Sequence, residues 1–179
     1  MPRRRRTQAH RHRRAAGVAT LVLGLVLGLS LPHGAEALDV PAPKPADVCP
    51  VCGMFVTKYP EWLATAVFRD GFVAHFDGVK DLFKYLFDLA KYAPGRSRDD
   101  IAVLAVTEYY GLTRIDPREA WFVVGSDVLG PMGHELVPLA SAADAQEFVS
   151  DHQGREILRF PDVTPELLQA LDSGSPSRR

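Results

Sequence analysis

One order of predicted elements occurs twice along the chain, and this repetition constrains the fold more than any other feature. In the first copy, residues 61–69 and 72–76 alternate like strands on either side of an Asp-Gly dipeptide, which is typical of a hairpin turn. A helix with Asp77 as its cap is predicted next, over residues 77–92, because apolar residues recur every three or four positions. Residues 101–109 are rich in β-formers, so the first copy is a ββαβ unit.

The second copy repeats this order with almost no matching residues. Strands are predicted at residues 119–125, 134–140 and 156–160, with a loop over residues 126–133. Ser141 and Asp144 resemble a capping box at the start of the intervening helix, and a short helix with proline at its first position closes the unit. The chain is therefore predicted to be an α+β protein made of two small ββαβ units, each with a helix packed on a short antiparallel sheet.

The two predicted units cover residues 48–112 and 113–172. Each is too small to bury a sufficient core alone, so their apolar faces are expected to pack together. Residues 38–47 contain three prolines and are predicted to form an extended tether, and residues 173–179 are predicted to be a disordered tail.

The N-terminus has the organisation of a secretory signal peptide. Seven arginines within the first fourteen residues are followed by an uncharged apolar run over residues 15–31 and by Ala35-Glu36-Ala37, a small-x-small cleavage site. An uncleaved membrane anchor is the alternative, but the run is short for a span and contains three glycines. We expect cleavage after Ala37 and export to the periplasm.

Removal of residues 1–37 would make the protein acidic. The whole chain has 21 basic and 22 acidic residues, and the segment carries seven arginines and one glutamate, which leaves 14 against 21, a net charge of −7. Nucleic-acid binding requires a basic surface, so it is not expected. Catalysis is not expected either, because no nucleophile elbow, phosphate loop or paired catalytic carboxylates are evident in the sequence.

All the cysteines and one methionine lie in a six-residue stretch of the first unit. Cys49, Cys52 and Met54 form a Cys-x-x-Cys-Gly-Met loop. Thiolates and thioethers are soft ligands that select Cu(I), whereas no second pair of cysteines or histidines has the spacing of a zinc site. A disulfide between the cysteines is an alternative in an oxidising compartment. Thiol–disulfide exchange is another, although no amphipathic helix starts at the motif.

The second unit supplies a matching sulfur ligand. Met132 lies in a predicted loop between Pro131 and Gly133, where core packing gives little reason for a methionine. If the two units pack as repeats, this loop faces the cysteine loop, and Cu(I) would bridge them. His134 is a further candidate ligand because it follows Met132 by two residues.

These motifs resemble the family of the nitrous oxide reductase accessory protein NosL. The resemblance runs from Val48 to Phe160 and rests on CPVCGMFVTKYP, on AHFDGVKDLFKYL and on LGPMGHELVPLA with the helix that follows. It implies two ββαβ units and a copper site that includes Cys52, Met54 and Met132, with Cys49 as a further ligand.

The resemblance also implies a role. Family members are small periplasmic Cu(I)-binding proteins that assist copper delivery to nitrous oxide reductase, together with a membrane transporter complex. Many are lipoproteins, but no cysteine precedes Cys49 here, so a soluble periplasmic form is expected. The alternative functions are a thiol–disulfide reductant for copper-site cysteines and a copper chaperone for another periplasmic copper enzyme.

Overall fold

A computed structural model describes residues 37–174 of the chain. The predicted signal peptide and terminal tail lie almost entirely outside these residues. The elements, in chain order, are β1 (Ala64–Phe68), β2 (Val73–Phe76), α1 (Val79–Phe87), α2 (Leu89–Tyr92), β3 (Ile101–Thr107), β4 (Arg114–Ile115), β5 (Trp121–Val124), β6 (Leu129–Gly130), β7 (Gly133–His134), β8 (Val137–Leu139), α3 (Ala142–Asp151), β9 (Glu156–Arg159) and α4 (Pro165–Asp172).

The strands of the first predicted unit form a four-stranded antiparallel sheet in the order β2-β1-β3-β4, in which β4 lies just beyond the predicted end of the unit at residue 112. β1 and β2 make the predicted hairpin, with Thr65 opposite His75, and β3 returns along the other side of β1. α1 packs on this sheet through a nearly continuous buried face that includes Leu82 and Leu86. The β-β-α-β order predicted from the sequence is confirmed, and β4 extends the sheet by one short strand.

Two boundaries in this unit differ from the prediction. The segment before β1 is a 3₁₀-helix over Pro60–Trp62 and not a strand, because proline fits the first turn of a helix. The long predicted helix is divided at Asp88 into α1 and α2, and the Asp88 side chain caps α2 by accepting from the backbone N–H of Lys91.

The expected capping role of Asp77 is wrong. Gly78 is the N-cap residue of α1 and has no capping side chain, and Glu135 Oε1 instead accepts from the backbone N–H of Lys80 in the first turn. The carboxylate of Asp77 is instead turned toward the cysteine loop, where its Oδ1 accepts from Cys52.

The second predicted unit forms a three-stranded antiparallel sheet in the order β8-β5-β9, covered by α3. The Ser141 hydroxyl accepts from the backbone N–H of Asp144, as expected for an N-cap. The predicted loop between β5 and β8 contains a small hairpin, β6–β7, in which Leu129 pairs with His134 and Met132 lies in the turn. Strands of two residues are too short to produce a sequence period, which explains why the hairpin was not predicted.

The two units share a core, as predicted. Successive residues of β5 face opposite sides of the sheet: Phe122 and Val124 join the large apolar cluster under α1, and Val123 joins a smaller cluster under α3. Phe83 of α1 contacts Phe122 edge to face at 5.6 Å between ring centroids and lies 4.9 Å from the ring of Phe160. The helix of the first unit is thus packed on aromatic residues of the second.

The proline-rich segment before the cysteine loop has irregular structure, and its N-terminal part contacts the fold. The backbone N–H of Leu38 donates to the carbonyl of Arg114 in β4 at 2.6 Å. Within residues 37–174, none of the helices has the length and apolar character needed to cross a membrane.

Candidate metal centre

The cysteine loop is closed by backbone hydrogen bonds. The N–H of Cys49 donates to the carbonyl of Met54 at 2.9 Å, and the N–H of Gly53 donates to the carbonyl of Cys49 at 2.9 Å. Gly53 has a φ of +79°, a left-handed conformation that glycine adopts without steric cost. Val48 and Phe55 form an antiparallel bridge at the base of the loop, so both thiols lie on a short, tied turn.

Each thiol meets a carboxylate from the start of α1. Cys49 Sγ donates to Asp81 Oδ2 at 3.3 Å, and Cys52 Sγ donates to Asp77 Oδ1 at 3.1 Å. Asp81 lies in the first turn of α1 and Asp77 immediately precedes its N-cap residue Gly78, so both carboxylates are at the N-terminal end of the helix. One ligand atom from each of the four residues lies within 4.8 Å of the others, which is close enough to hold a single metal ion.

Burial keeps both thiols protonated. Burial, reinforced by the negative charge of Asp81, raises the pKa of Cys49 far above its ordinary value. Burial, together with hydrogen bonds to Asp77 and Asp81, raises the pKa of Cys52 to about 12. Both cysteines are free thiols in the structure, and they act as hydrogen-bond donors to the two carboxylates.

Two carboxylate oxygens of the site accept no hydrogen bond from the residues that the structure describes. Asp77 Oδ2 and Asp81 Oδ1 are buried and accept no hydrogen bond, although Asp81 Oδ1 has an ion-pair contact with Lys84 Nζ at 3.3 Å. A buried acceptor without a partner costs about 1–3 kcal/mol. A cation at the cluster would satisfy these oxygens and replace the thiol protons, so the residues present fit a bound metal ion.

The structure brings Met132 to this cluster. Met132 lines a narrow cleft with Asp77, Asp81 and Glu135, and its side chain is 42% exposed. The β6–β7 hairpin therefore lies beside the two carboxylates that accept from the thiols, and ligation of a metal by the Met132 sulfur stays a prediction.

For the other two predicted ligands, Met54 and His134, metal ligation stays a prediction. Met54 is half-buried, and its described contact with the loop is through its backbone carbonyl. His134 is also half-buried; its carbonyl accepts from Lys80 Nζ at 3.0 Å, and its imidazole does not belong to the four-residue cluster.

A buried glutamate joins the methionine hairpin to α1. Glu135 Oε1 accepts from the backbone N–H groups of Lys80 and Leu136, at 2.7 and 2.9 Å. Burial raises the pKa of Glu135 to about 7. Gly78 makes this approach possible, because a Cβ at this position would lie 2.3 Å from Glu135 Oε2.

Two residues of the site, Asp77 and Asp81, were missed by the sequence analysis. An aspartate just before a helix is usually a cap, and one in the first turn usually interacts with the helix dipole. The available signal was the presence of two aspartates within five residues at the start of a predicted helix. This signal indicates a metal site only in combination with the position of the cysteine loop, which lies against the same end of the helix.

The sequence of this chain matches a family model and is similar to a known protein. The NosL family model matches residues 40–168 of this chain. The copper-binding lipoprotein NosL of Stutzerimonas stutzeri is 31% identical over 173 residues, an alignment that covers 90% of this chain and 87% of that protein.

One solved structure shows the same relationship. The crystal structure of the copper chaperone NosL from Shewanella denitrificans aligns with a TM-score of 0.58 and 26% identity, over 72% of this chain and 97% of that one. The solution structure of apo-NosL from Achromobacter cycloclastes aligns with a TM-score of 0.40 and 26% identity, over 61% and 87% of the two chains. The Shewanella structure supports the α+β fold described above.

Proposed function

Because this chain belongs to the NosL family, we propose that it is a periplasmic Cu(I) carrier that assists copper delivery to nitrous oxide reductase. The observation that carries the proposal is the cluster of two thiols, two buried carboxylates and a neighbouring thioether, assembled from both ββαβ units. Soft sulfur ligands select Cu(I), and related proteins are named for copper binding and copper chaperone activity.

Loading exchanges protons for copper. When Cys49 and Cys52 both ligate, one Cu(I) enters and two thiol protons leave. The carboxylates that accept from the thiols in the metal-free protein become neighbours of the bound cation. Asp77 and Asp81 thus keep the empty site free of reactive thiolate and favour a positive charge when copper arrives.

Delivery proceeds by ligand exchange at the open side of the site. Cys49 is buried, whereas Cys52 is half-buried and Met132 is 42% exposed. A partner thiolate, thioether or imidazole can replace the Met132 sulfur first and then Cys52. The membrane transporter complex and the reductase are the proposed partners, and the acidic mature chain suits a basic docking patch.

The buried thiols disfavour the thiol–disulfide alternative. A reductant for copper-site cysteines needs a thiolate near neutral pH, and thiols of this type have lowered pKa values. Burial instead raises the pKa of Cys52 to about 12. A copper carrier instead needs thiols that stay protonated and reduced until copper binds. The raised pKa values of Cys49 and Cys52 meet this requirement.

An anaerobic Cu(I) titration of the reduced mature protein against a competing chelator tests the proposal. We expect one tightly bound Cu(I), weakened by at least about 10-fold in both Cys52→Ser and Met132→Leu, because each change removes one ligand from a low-coordinate ion. Asp99→Asn, at an exposed aspartate in a 3₁₀-helix, is the matched control. The absence of a copper complex that survives the chelator would refute the carrier function.

The client is tested separately in cells. In a strain that lacks this chain, we expect nitrous oxide reductase to accumulate with reduced copper content, and the wild-type chain but not Cys52→Ser to restore it. Full copper loading in the deletion strain would assign the carrier to another periplasmic copper enzyme.

A further inference from the structure

A buried lysine holds the methionine hairpin in place. The side chain of Lys80 in α1 is 1% exposed, and its Nζ donates to the carbonyls of Met132 at 3.1 Å and His134 at 3.0 Å. One carbonyl belongs to Met132 itself, in the turn of the hairpin, and the other to the last residue of β7. The position of the thioether therefore depends on where the Lys80 ammonium lies.

A carboxylate from the last helix fixes that ammonium. Asp172, the final residue of α4, places Oδ1 at 3.1 Å from Lys80 Nζ. An ammonium has three donors and, when buried, needs a compensating negative charge. The two carbonyls and Asp172 together supply three acceptors, and Asp172 alone of the three supplies the charge.

The same carboxylate reaches the other side of the site. Lys84 Nζ lies 2.9 Å from both oxygens of Asp172 and 3.3 Å from Asp81 Oδ1. Asp172 therefore shares Lys84 with the carboxylate that accepts from Cys49. Without this competition, Lys84 would pair with Asp81 alone and draw it away from the thiol.

We propose that Asp172 is a positioning residue of the metal site: through Lys80 it sets the hairpin that carries Met132, and through Lys84 it sets Asp81. The expected effect on copper binding rests on the proposed function. The positioning of the hairpin and of Asp81 by Asp172 does not, because it requires no bound metal. Asp172 lies beyond the segment that matches the family, which ends at residue 168. α4 is held against the core by Leu167, Leu168 and Leu171, so its terminal carboxylate has a defined place.

The metal-free protein provides the first test. Asp172→Asn keeps the shape of the side chain and removes its charge. We expect faster hydrogen–deuterium exchange in peptides that cover residues 129–136, with exchange in β1 and β5 unchanged. Glu166→Gln removes the same charge from an exposed position of the same helix and should leave the hairpin as in the wild type.

Copper binding provides the second test, through a cycle of Asp172→Asn and Met132→Leu. We expect Asp172→Asn to weaken Cu(I) binding roughly 10-fold, a typical loss when a residue that supports a ligand is changed. We also expect the double variant to lose less affinity than the two single losses multiplied together, because part of the effect of Asp172 is exerted through Met132. X-ray absorption should show one sulfur neighbour fewer around copper in Asp172→Asn than in the wild type.

Three results would overturn the inference: unchanged hairpin exchange in Asp172→Asn, losses of affinity that multiply in the double variant, or wild-type sulfur coordination in Asp172→Asn. A wild-type protein that binds no Cu(I) would instead refute the proposed function, and the exchange experiment would still decide whether Asp172 orders the hairpin. Circular dichroism of each variant checks that the substituted protein is folded.

Discussion

At the scale of residues, the two aspartates of the site are costly in the metal-free protein. Asp77 and Asp81 are 1% and 2% exposed, and they lie within one cluster beside two buried thiols. Buried carboxylates repel one another and lose hydration, which proteins accept where a cation or a specific pairing compensates. Lys84 compensates part of the charge of Asp81. The remaining acceptor capacity, on Asp77 Oδ2 and Asp81 Oδ1, is available to a metal ion held by the cluster.

Gly78 allows this arrangement because it has no side chain. We expect Gly78→Ala to lower the free energy of unfolding by about 1–3 kcal/mol, because its Cβ would overlap Glu135, and overpacking of a core costs this much. Urea denaturation of the two proteins measures the difference. In a Glu135→Ala background the same substitution should cost less, and an equal cost in both backgrounds would contradict the proposed overlap.

At the scale of elements, the repeated ββαβ order and the two sulfur loops could be predicted because each depends on local patterns. Strand alternation, helical periodicity and turn dipeptides are read within a few residues. The pairing of Cys49 with Asp81 and of Cys52 with Asp77 joins residues 32 and 25 positions apart. No local pattern records such a contact. It depends on how the loop docks against α1, and this is decided by packing of the whole domain.

The β1–β2 hairpin contains a buried titratable histidine that is hydrogen-bonded to its cross-strand neighbour. His75 is 5% exposed and shares a hydrogen bond of 3.0 Å with Thr65, its cross-strand partner. Burial lowers the pKa of His75 below its ordinary value of 6.5, so the unfolded chain binds the proton more readily than the folded one. The stability that neutral His75 contributes is therefore present above pH 6.5 and is lost as the pH falls through the lowered pKa.

We expect the free energy of unfolding to fall between about pH 7.5 and pH 5.5, and His75→Gln to reduce this fall because glutamine cannot be protonated. Urea unfolding curves at both pH values measure the effect. An identical pH dependence in the variant would show that other groups are responsible.

At the scale of the whole molecule, the two units form one folding unit around α1. Phe83 contacts Phe122 and Phe160 of the second unit while α1 covers the sheet of the first. The shared apolar cluster contains residues from both sheets. Loss of contact at Phe83 is thus expected to weaken both sheets together.

We expect Phe83→Ala to destabilise the protein by about 3–5 kcal/mol, the usual cost of removing a buried phenylalanine side chain. Amide exchange should accelerate together in β1 and β5. Phe87→Ala, four residues along the same helix at a 39% exposed position, is the matched control and should cost far less. Faster exchange in β1 alone would indicate that the units unfold independently.

The division of the site between two distant loops also has a consequence for the order of events during biogenesis. A chain that crosses a membrane from its N-terminus exposes Cys49 and Cys52 long before Met132, which lies 80 residues after Cys52, has emerged. Until then the thiols have neither the hairpin nor the C-terminal helix beside them. If the chain is exported as proposed, a binding site that includes Met132 can form only after most of the chain has crossed the membrane.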